Sequence, residues 1–279
     1  MNKMKFVKLI LTKLFILLKL TSVNAEVTTD QWALFNQKAE ALYEEGDYDQ
    51  ALEFAKQALS LAEKSTPEDS ARVIESLNQL GLIYEEQMEV DLAIQTWQHS
   101  LEIQEKIQGS EPEKYSRDYA KTLHQLAINY GYKRDFRKAG ELYQQAVEVL
   151  ENRLGKDHPD VAEELFSLGT LYKFENDNKA IPYFSRALKI WEQNGENEYQ
   201  GNIYKVVGNL AEIYQKKGDF LNAEKFQERL LEMSEKEFGS DSPHLKWTLE
   251  QLAEIYQALE RTEKLEKIET RLENLKTAK

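Results

Sequence analysis

Apolar residues recur along this chain with the spacing of one helical face. Leu77, Leu80, Gly81 and Tyr84 stand at positions i, i+3, i+4 and i+7, and residues 123–130 repeat the arrangement. A second apolar stripe follows each such segment after a short polar turn. In three copies this stripe reads Ala93-Trp97-Leu101, Ala139-Tyr143-Val147 and Ala180-Phe184-Leu188. The pattern predicts pairs of helices joined by short turns, and therefore an all-α fold.

The paired pattern repeats with a nearly constant period. Successive leucines of the motif Leu-(Gly/Ala)-x-x-Tyr are 46, 42, 42 and 42 residues apart. A weaker first copy, formed by Ala39, Leu42 and Tyr43, extends the period towards the N-terminus. The five motif leucines are Leu80, Leu126, Leu168, Leu210 and Leu252. Six copies fill the chain after its first 31 residues, and such regular repetition is the sequence signature of a repeat protein.

The repeated motif resembles that of the tetratricopeptide repeat (TPR) family, in which Leu-Gly-x-x-Tyr is followed by Ala and then by an aromatic residue. The resemblance implies an α-solenoid, a right-handed superhelix of about six helix-turn-helix pairs. The 42-residue period and the segment GKDHPDVAEEL resemble the kinesin-light-chain-type subclass. The resemblance covers residues 32–279 and places repeats at 32–65, 74–107, 120–153, 162–194, 204–237 and 246–279.

The first 25 residues have a different character from the repeats. They carry five lysines and no acidic residue, contain the apolar run LILTKLFILLKL, and end in Val23-Asn24-Ala25. This order predicts a signal peptide at 1–25, cleaved after Ala25, then a short lead at 26–31 and a periplasmic or secreted protein. The alternative is association with a membrane through an uncleaved N-terminal helix. No integral membrane span is expected, because the longest lysine-free apolar run, Leu14 to Leu18, is far below the ~20 residues required.

Composition and motifs argue against catalysis. The chain has no cysteine, its four histidines fall in different repeats, and it contains no GxxxxGK[ST], GxSxG, GxGxxG or HExxH motif. We therefore expect no catalytic residues, no cofactor and no metal. The net charge of -13 disfavours a nucleic-acid partner, because an acidic surface repels phosphates.

The TPR resemblance also implies where a partner would bind. First-helix residues outside the packing stripe line a concave groove in TPR proteins, and among them Ile128, Tyr132, Phe166 and Phe174 are apolar where the core does not require it. The resemblance therefore implies a non-catalytic scaffold or adaptor whose groove binds a protein or peptide with basic and apolar segments. The alternatives are a self-assembling structural module and a peptide-sensing regulator. The candidate partner-binding residues are Asn78, Glu85, Glu86, His124, Ile128, Tyr132, Phe166, Lys173 and Phe174.

Overall fold

The structure is a computed structural model that describes residues 30–64, 70–108, 117–175 and 177–277. Within these ranges the chain forms twelve α-helices and one 3-10 helix and contains no strand, which confirms the predicted all-α fold. The predicted signal peptide at 1–25 lies outside the described residues. The α-helices are α1 Gln31–Glu44, α2 Tyr48–Lys64, α3 Ser70–Glu86, α4 Val90–Gln108, α5 Arg117–Tyr132, α6 Phe136–Leu154, α7 Pro159–Glu175, α8 Asp177–Gly195, α9 Gln200–Lys216, α10 Phe220–Phe238, α11 Lys246–Ala258 and α12 Thr262–Thr277.

Five of the described connections between consecutive helices are three residues long and share one backbone conformation. The middle residue of each has a positive φ: 80° at Gly46, 59° at Met88, 61° at Arg134, 73° at Gly218 and 56° at Glu260. This left-handed conformation ends a helix. Glycine adopts it freely, whereas it costs other residues roughly 1–2 kcal/mol.

An aspartate after the left-handed residue starts the next helix in three of these turns. The backbone N–H of Asp135 donates to the Tyr130 carbonyl at 2.9 Å, which satisfies one of the last carbonyls of α5. The Asp135 side chain then accepts from the N–H of Lys138 at 3.0 Å and caps α6. Asp47 and Asp219 make equivalent bonds. One residue thus closes one helix and opens the next.

The chain divides into two compact units, Met1–Met88 and Glu89–Lys279, of which the first contains α1 to α3 among its described residues. Small residues on α2 allow its neighbours to approach closely, since Ala51 and Ala55 are fully buried. They form one cluster with Ala39, Leu80 and Ile83. Two alanines one turn apart thus define the face of α2 that packs.

The second unit contains α4 to α12, each packed against the next in sequence. At the α7–α8 crossing Gly169 makes room for the fully buried ring of Phe184. At the C-terminal end Leu245, Leu249 and Ile268 belong to a separate buried cluster. No described helix is at once long enough and apolar enough to traverse a bilayer.

Some polar side chains in the second unit pair over about 40 residues of sequence. Lys133 donates to Asp91, 42 residues away, at 2.6 Å. Lys264 donates to Glu224, 40 residues away, also at 2.6 Å. These two pairs join neighbouring repeats within the second unit, as expected for a solenoid.

Candidate functional site

Helices α5, α6 and α7 of the second unit enclose a cleft of about 710 Å³. Its α5 wall is formed by His124, Ile128 and Tyr132, and its α7 wall includes Phe166 and Phe174. Within each wall the named residues are four or eight positions apart in sequence, which places them on one face of the helix. These five residues all belong to the predicted partner-binding set, and the structure brings them together.

Two aromatic side chains of the cleft are largely open to solvent. Tyr132 is 62% exposed and Phe174 is 79% exposed. Exposed rings on opposite walls of a concave surface are unusual for residues whose role is only packing. They offer apolar area that a ligand could remove from water.

Phe166 contributes to the cleft and to the core at once. Its ring centroid lies 5.6 Å from that of Phe184 and 6.1 Å from that of Trp191, both of which are buried. The expectation that the core does not require Phe166 is therefore corrected, because the ring is half-buried against α8. Phe166 forms a fixed wall, while Tyr132 and Phe174 remain free to contact a ligand.

A buried carboxylate lies beneath the α5 wall. His124 Nδ1 lies 2.9 and 3.1 Å from the two carboxylate oxygens of Glu164, which is only 7% exposed. The His124 ring meets Tyr143 edge-on at 5.3 Å. Burial, followed by the charge of Glu164, raises the pKa of the Tyr143 hydroxyl. The contact with Glu164 fixes the His124 ring in the cleft wall.

A smaller pocket of about 200 Å³ adjoins the cleft and shares His124, Phe166 and Ser167 with it. Its remaining lining residues are Glu163, Trp191, Asn202 and Lys205. Partial burial, and then the charges of Asp160 and Glu164, raise the pKa of Glu163, although His124 acts in the opposite direction. The Glu163 carboxylate thus occupies an unfavourable electrostatic position.

Lys173, another predicted partner-binding residue, already has protein partners. Its Nζ donates to Asn209 Oδ1 at 2.8 Å and to Glu212 Oε2 at 2.5 Å. Burial alone would raise the pKa of Glu212, but hydrogen bonds from Lys173 and Lys216 outweigh it and the pKa is lowered. Lys173 therefore helps to hold α7 against α9.

The other three predicted residues lie on α3 in the first unit. Asn78 and Glu85 are half-buried, and Glu86 is exposed. The Tyr43 hydroxyl donates to Glu86 at 3.3 Å, and burial together with Glu86 raises the pKa of Tyr43. In this unit the predicted set thus contributes two acidic side chains, Glu85 and Glu86, at the C-terminal end of α3.

Sequence reasoning missed the second-helix residues of the site. Phe136 and Tyr143 of α6 line the cleft, and Trp191 of α8 lines the adjoining pocket. The assignment of the groove to first helices excluded them. A signal was nevertheless present, since Phe136 directly follows the capping residue Asp135 and so begins a helix beside α5.

The described residues show no arrangement suited to binding a metal, since no group of three or more His, Cys, Asp or Glu side chains is placed to hold an ion.

The family model of the tetratricopeptide repeat matches this sequence at residues 31–106, 118–193 and 199–264. These segments make up most of the sequence, so the chain belongs to the tetratricopeptide repeat family. No curated protein sequence matches it.

Several solved structures share this fold. BtubC (BKLC) of P. vanneervenii is 19% identical with a TM-score of 0.62, over 83% of this chain and 91% of that one. A kinesin light chain-like protein of Podosopora anserina is 20% identical with a TM-score of 0.62, over 73% and 94%. A Rap protein complexed with competence and sporulation factor is 19% identical with a TM-score of 0.54, over 91% and 77%. At these identities the likeness concerns the fold.

Proposed function

We propose that this protein is a non-catalytic TPR module that binds a segment of a partner protein or peptide in the cleft formed by α5, α6 and α7. The observation that carries the proposal is the pair of exposed rings, Tyr132 and Phe174, on opposite walls of a concave, mainly apolar surface. The Rap structure contains a bound factor on a related fold, which supports partner binding as the class of function.

The cleft suits an apolar anchor residue of the partner. Covering two exposed rings removes apolar area from water, which stabilises the complex by about 25 cal/mol for each Å² buried. Phe166 is already fixed against the core and needs no ordering when a ligand binds. We therefore expect the apolar contacts to control the dissociation rate.

The test begins with selection of peptides from a random phage-displayed library on the purified protein. Selected peptides are synthesised and their binding kinetics measured with the wild-type protein, Tyr132→Ser and Phe174→Ser. We expect each substitution to weaken binding by about 1–2 kcal/mol, mainly through faster dissociation.

Leu221→Ser is the matched control, because Leu221 is 63% exposed but lies on α10 outside the cleft. Equal losses in Leu221→Ser and the cleft variants would show that exposed apolar residues bind peptides non-specifically. Light scattering over a range of concentrations checks for self-assembly. Loss of self-assembly in the cleft variants would instead favour the structural-module alternative.

We also propose that the protein is exported and that its mature form begins at Glu26. The proposal rests on the basic, then apolar, then Val23-Asn24-Ala25 order of the first 25 residues. The intact mass of protein isolated from the native envelope fraction tests it. Protein that retains Met1 and occurs in the cytosolic fraction would contradict export.

A further inference from the structure

The pocket beside the cleft has the size of a subsite for one side chain. Its volume of about 200 Å³ is below the roughly 300–1,000 Å³ typical of sites for whole small molecules. It shares Phe166 with the larger cleft. A segment that places an apolar residue in the cleft therefore brings a neighbouring residue to the pocket.

The pocket combines aromatic walls with one carboxylate. Phe166 and Trp191 provide ring surface, and Glu163 provides the charge. Within the described ranges, no lysine or arginine forms an ion pair with Glu163. The nearby charges that act on it most strongly, those of Asp160 and Glu164, are negative as well, and only the smaller effect of His124 opposes them.

A basic side chain fits these features better than an acidic or neutral one. Its ammonium or guanidinium group would compensate the Glu163 carboxylate, and its methylene stem and charge would contact the rings favourably. An acidic side chain would add a further negative charge beside three carboxylates. Lys205 also lines the pocket and, like Glu163, is exposed, but no ion pair joins these two described side chains.

We propose that this pocket takes a lysine or arginine side chain of the bound segment, and that Glu163 is the residue that selects it. The proposal rests on the proposed function, because it assumes that a segment occupies the adjoining cleft. The preferred ligand thus carries an apolar anchor and a nearby basic residue. Lys205 opposes this binding, because its ammonium group lines the same pocket and repels an incoming cation.

The experiment uses the synthetic peptides recovered by phage selection, each made with its arginine or with neutral citrulline in its place. Selected lysine peptides are first converted to arginine peptides. Both forms are titrated against the wild type, Glu163→Gln and Lys205→Gln. Glu148→Gln is the control, since Glu148 is an exposed carboxylate of α6 that lines neither cavity.

We expect Glu163→Gln to weaken the arginine peptide about three- to tenfold and to leave the citrulline peptide nearly unchanged. Lys205→Gln should strengthen the arginine peptide, and Glu148→Gln should have no effect. Because the citrulline comparison changes only the peptide, it remains decisive even if a protein variant folds poorly.

Three results would overturn the inference: selected peptides without basic residues, equal binding of both peptide forms to the wild type, or reversed signs in Glu163→Gln and Lys205→Gln. Reversed signs would identify an acidic side chain as the occupant. In each case sensitivity to Tyr132→Ser and Phe174→Ser shows whether the cleft itself still binds peptides. If the peptides are insensitive to those cleft variants, the proposed function fails and this inference fails with it.

Discussion

The close approach of Gly169 on α7 to Phe184 on α8 gives a sharp test of the packing in the second unit. A Cβ atom added at Gly169 would lie 2.7 Å from Cδ1 and Cε1 of Phe184 and 3.1 Å from its Cγ. The Phe184 ring is fully buried and also contacts Phe166, so it has little room to move. Replacing Gly169 with alanine must therefore displace α7, α8 or the ring.

Two opposing terms set the size of the effect. Alanine in a helix interior is favoured over glycine by about 1 kcal/mol. Overpacking a well-filled core costs roughly 1–3 kcal/mol. We therefore expect Gly169→Ala to lower the free energy of unfolding by up to about 2 kcal/mol. Gly208 lies inside α9 with no heavy atom within 4 Å of an added Cβ. Gly208→Ala should accordingly stabilise the protein by ~0.5–1 kcal/mol.

Urea unfolding of both variants and of the wild type measures this difference. Hydrogen exchange then shows whether the loss in Gly169→Ala is confined to α7, α8 and their neighbours, as a repeat array requires. Combining Gly169→Ala with Phe184→Leu should recover part of the loss, and the double-mutant cycle isolates the clash. If both glycine variants stabilise the protein equally, the close approach of Gly169 to Phe184 is wrong.

Three further substitutions test other parts of the molecule. Ala139 is fully buried, so Ala139→Leu should destabilise by roughly 1–3 kcal/mol, and unchanged hydrogen exchange in α5 to α8 would contradict the assigned register. The pKa of the Glu163 carboxyl is raised in the folded protein. Above pH 4.5, the ordinary pKa of this group, the folded state therefore binds more protons than the unfolded state, and the contribution of Glu163 to stability falls as pH rises. Glu163→Gln should therefore raise the thermal midpoint at neutral pH and match the wild type in acid; a lower midpoint at neutral pH would contradict this. Lys264→Met should lower the free energy of unfolding by about 1–3 kcal/mol, because it removes the cation of α12 that binds the buried Glu224 and Glu228 of α10. Urea unfolding measures this loss.

The helix pairs could be predicted from the sequence because their signal is local. Leu77, Leu80, Gly81 and Tyr84 lie within eight residues, and their spacing alone defines a helix with one buried face. Such a signal needs no knowledge of what the face meets. The cleft walls were expected for another reason, because the TPR resemblance implied that first-helix residues outside the packing stripe, such as Ile128 and Tyr132, line a groove.

The state of each site residue could not be predicted in the same way. Whether Phe166 is free depends on Phe184 and Trp191 in the next helix, and whether Lys173 is free depends on Glu212, 39 residues away. A reading of one helix at a time does not contain these partners. The left-handed turn residue Arg134 shows a similar limit, because its conformation is set by the turn and not by its residue type.

The pairing of side chains some 40 residues apart has a consequence for how the array folds and how its length can vary. Because contacts such as Lys133–Asp91 and Lys264–Glu224 close loops of similar size, the entropic cost of forming each is about the same wherever it lies in the chain. Folding therefore has no need to bring distant ends together, and contact order does not rise with length. One whole repeat could be added to or removed from the second unit while the sequence separation of contacts inside the other repeats stayed the same.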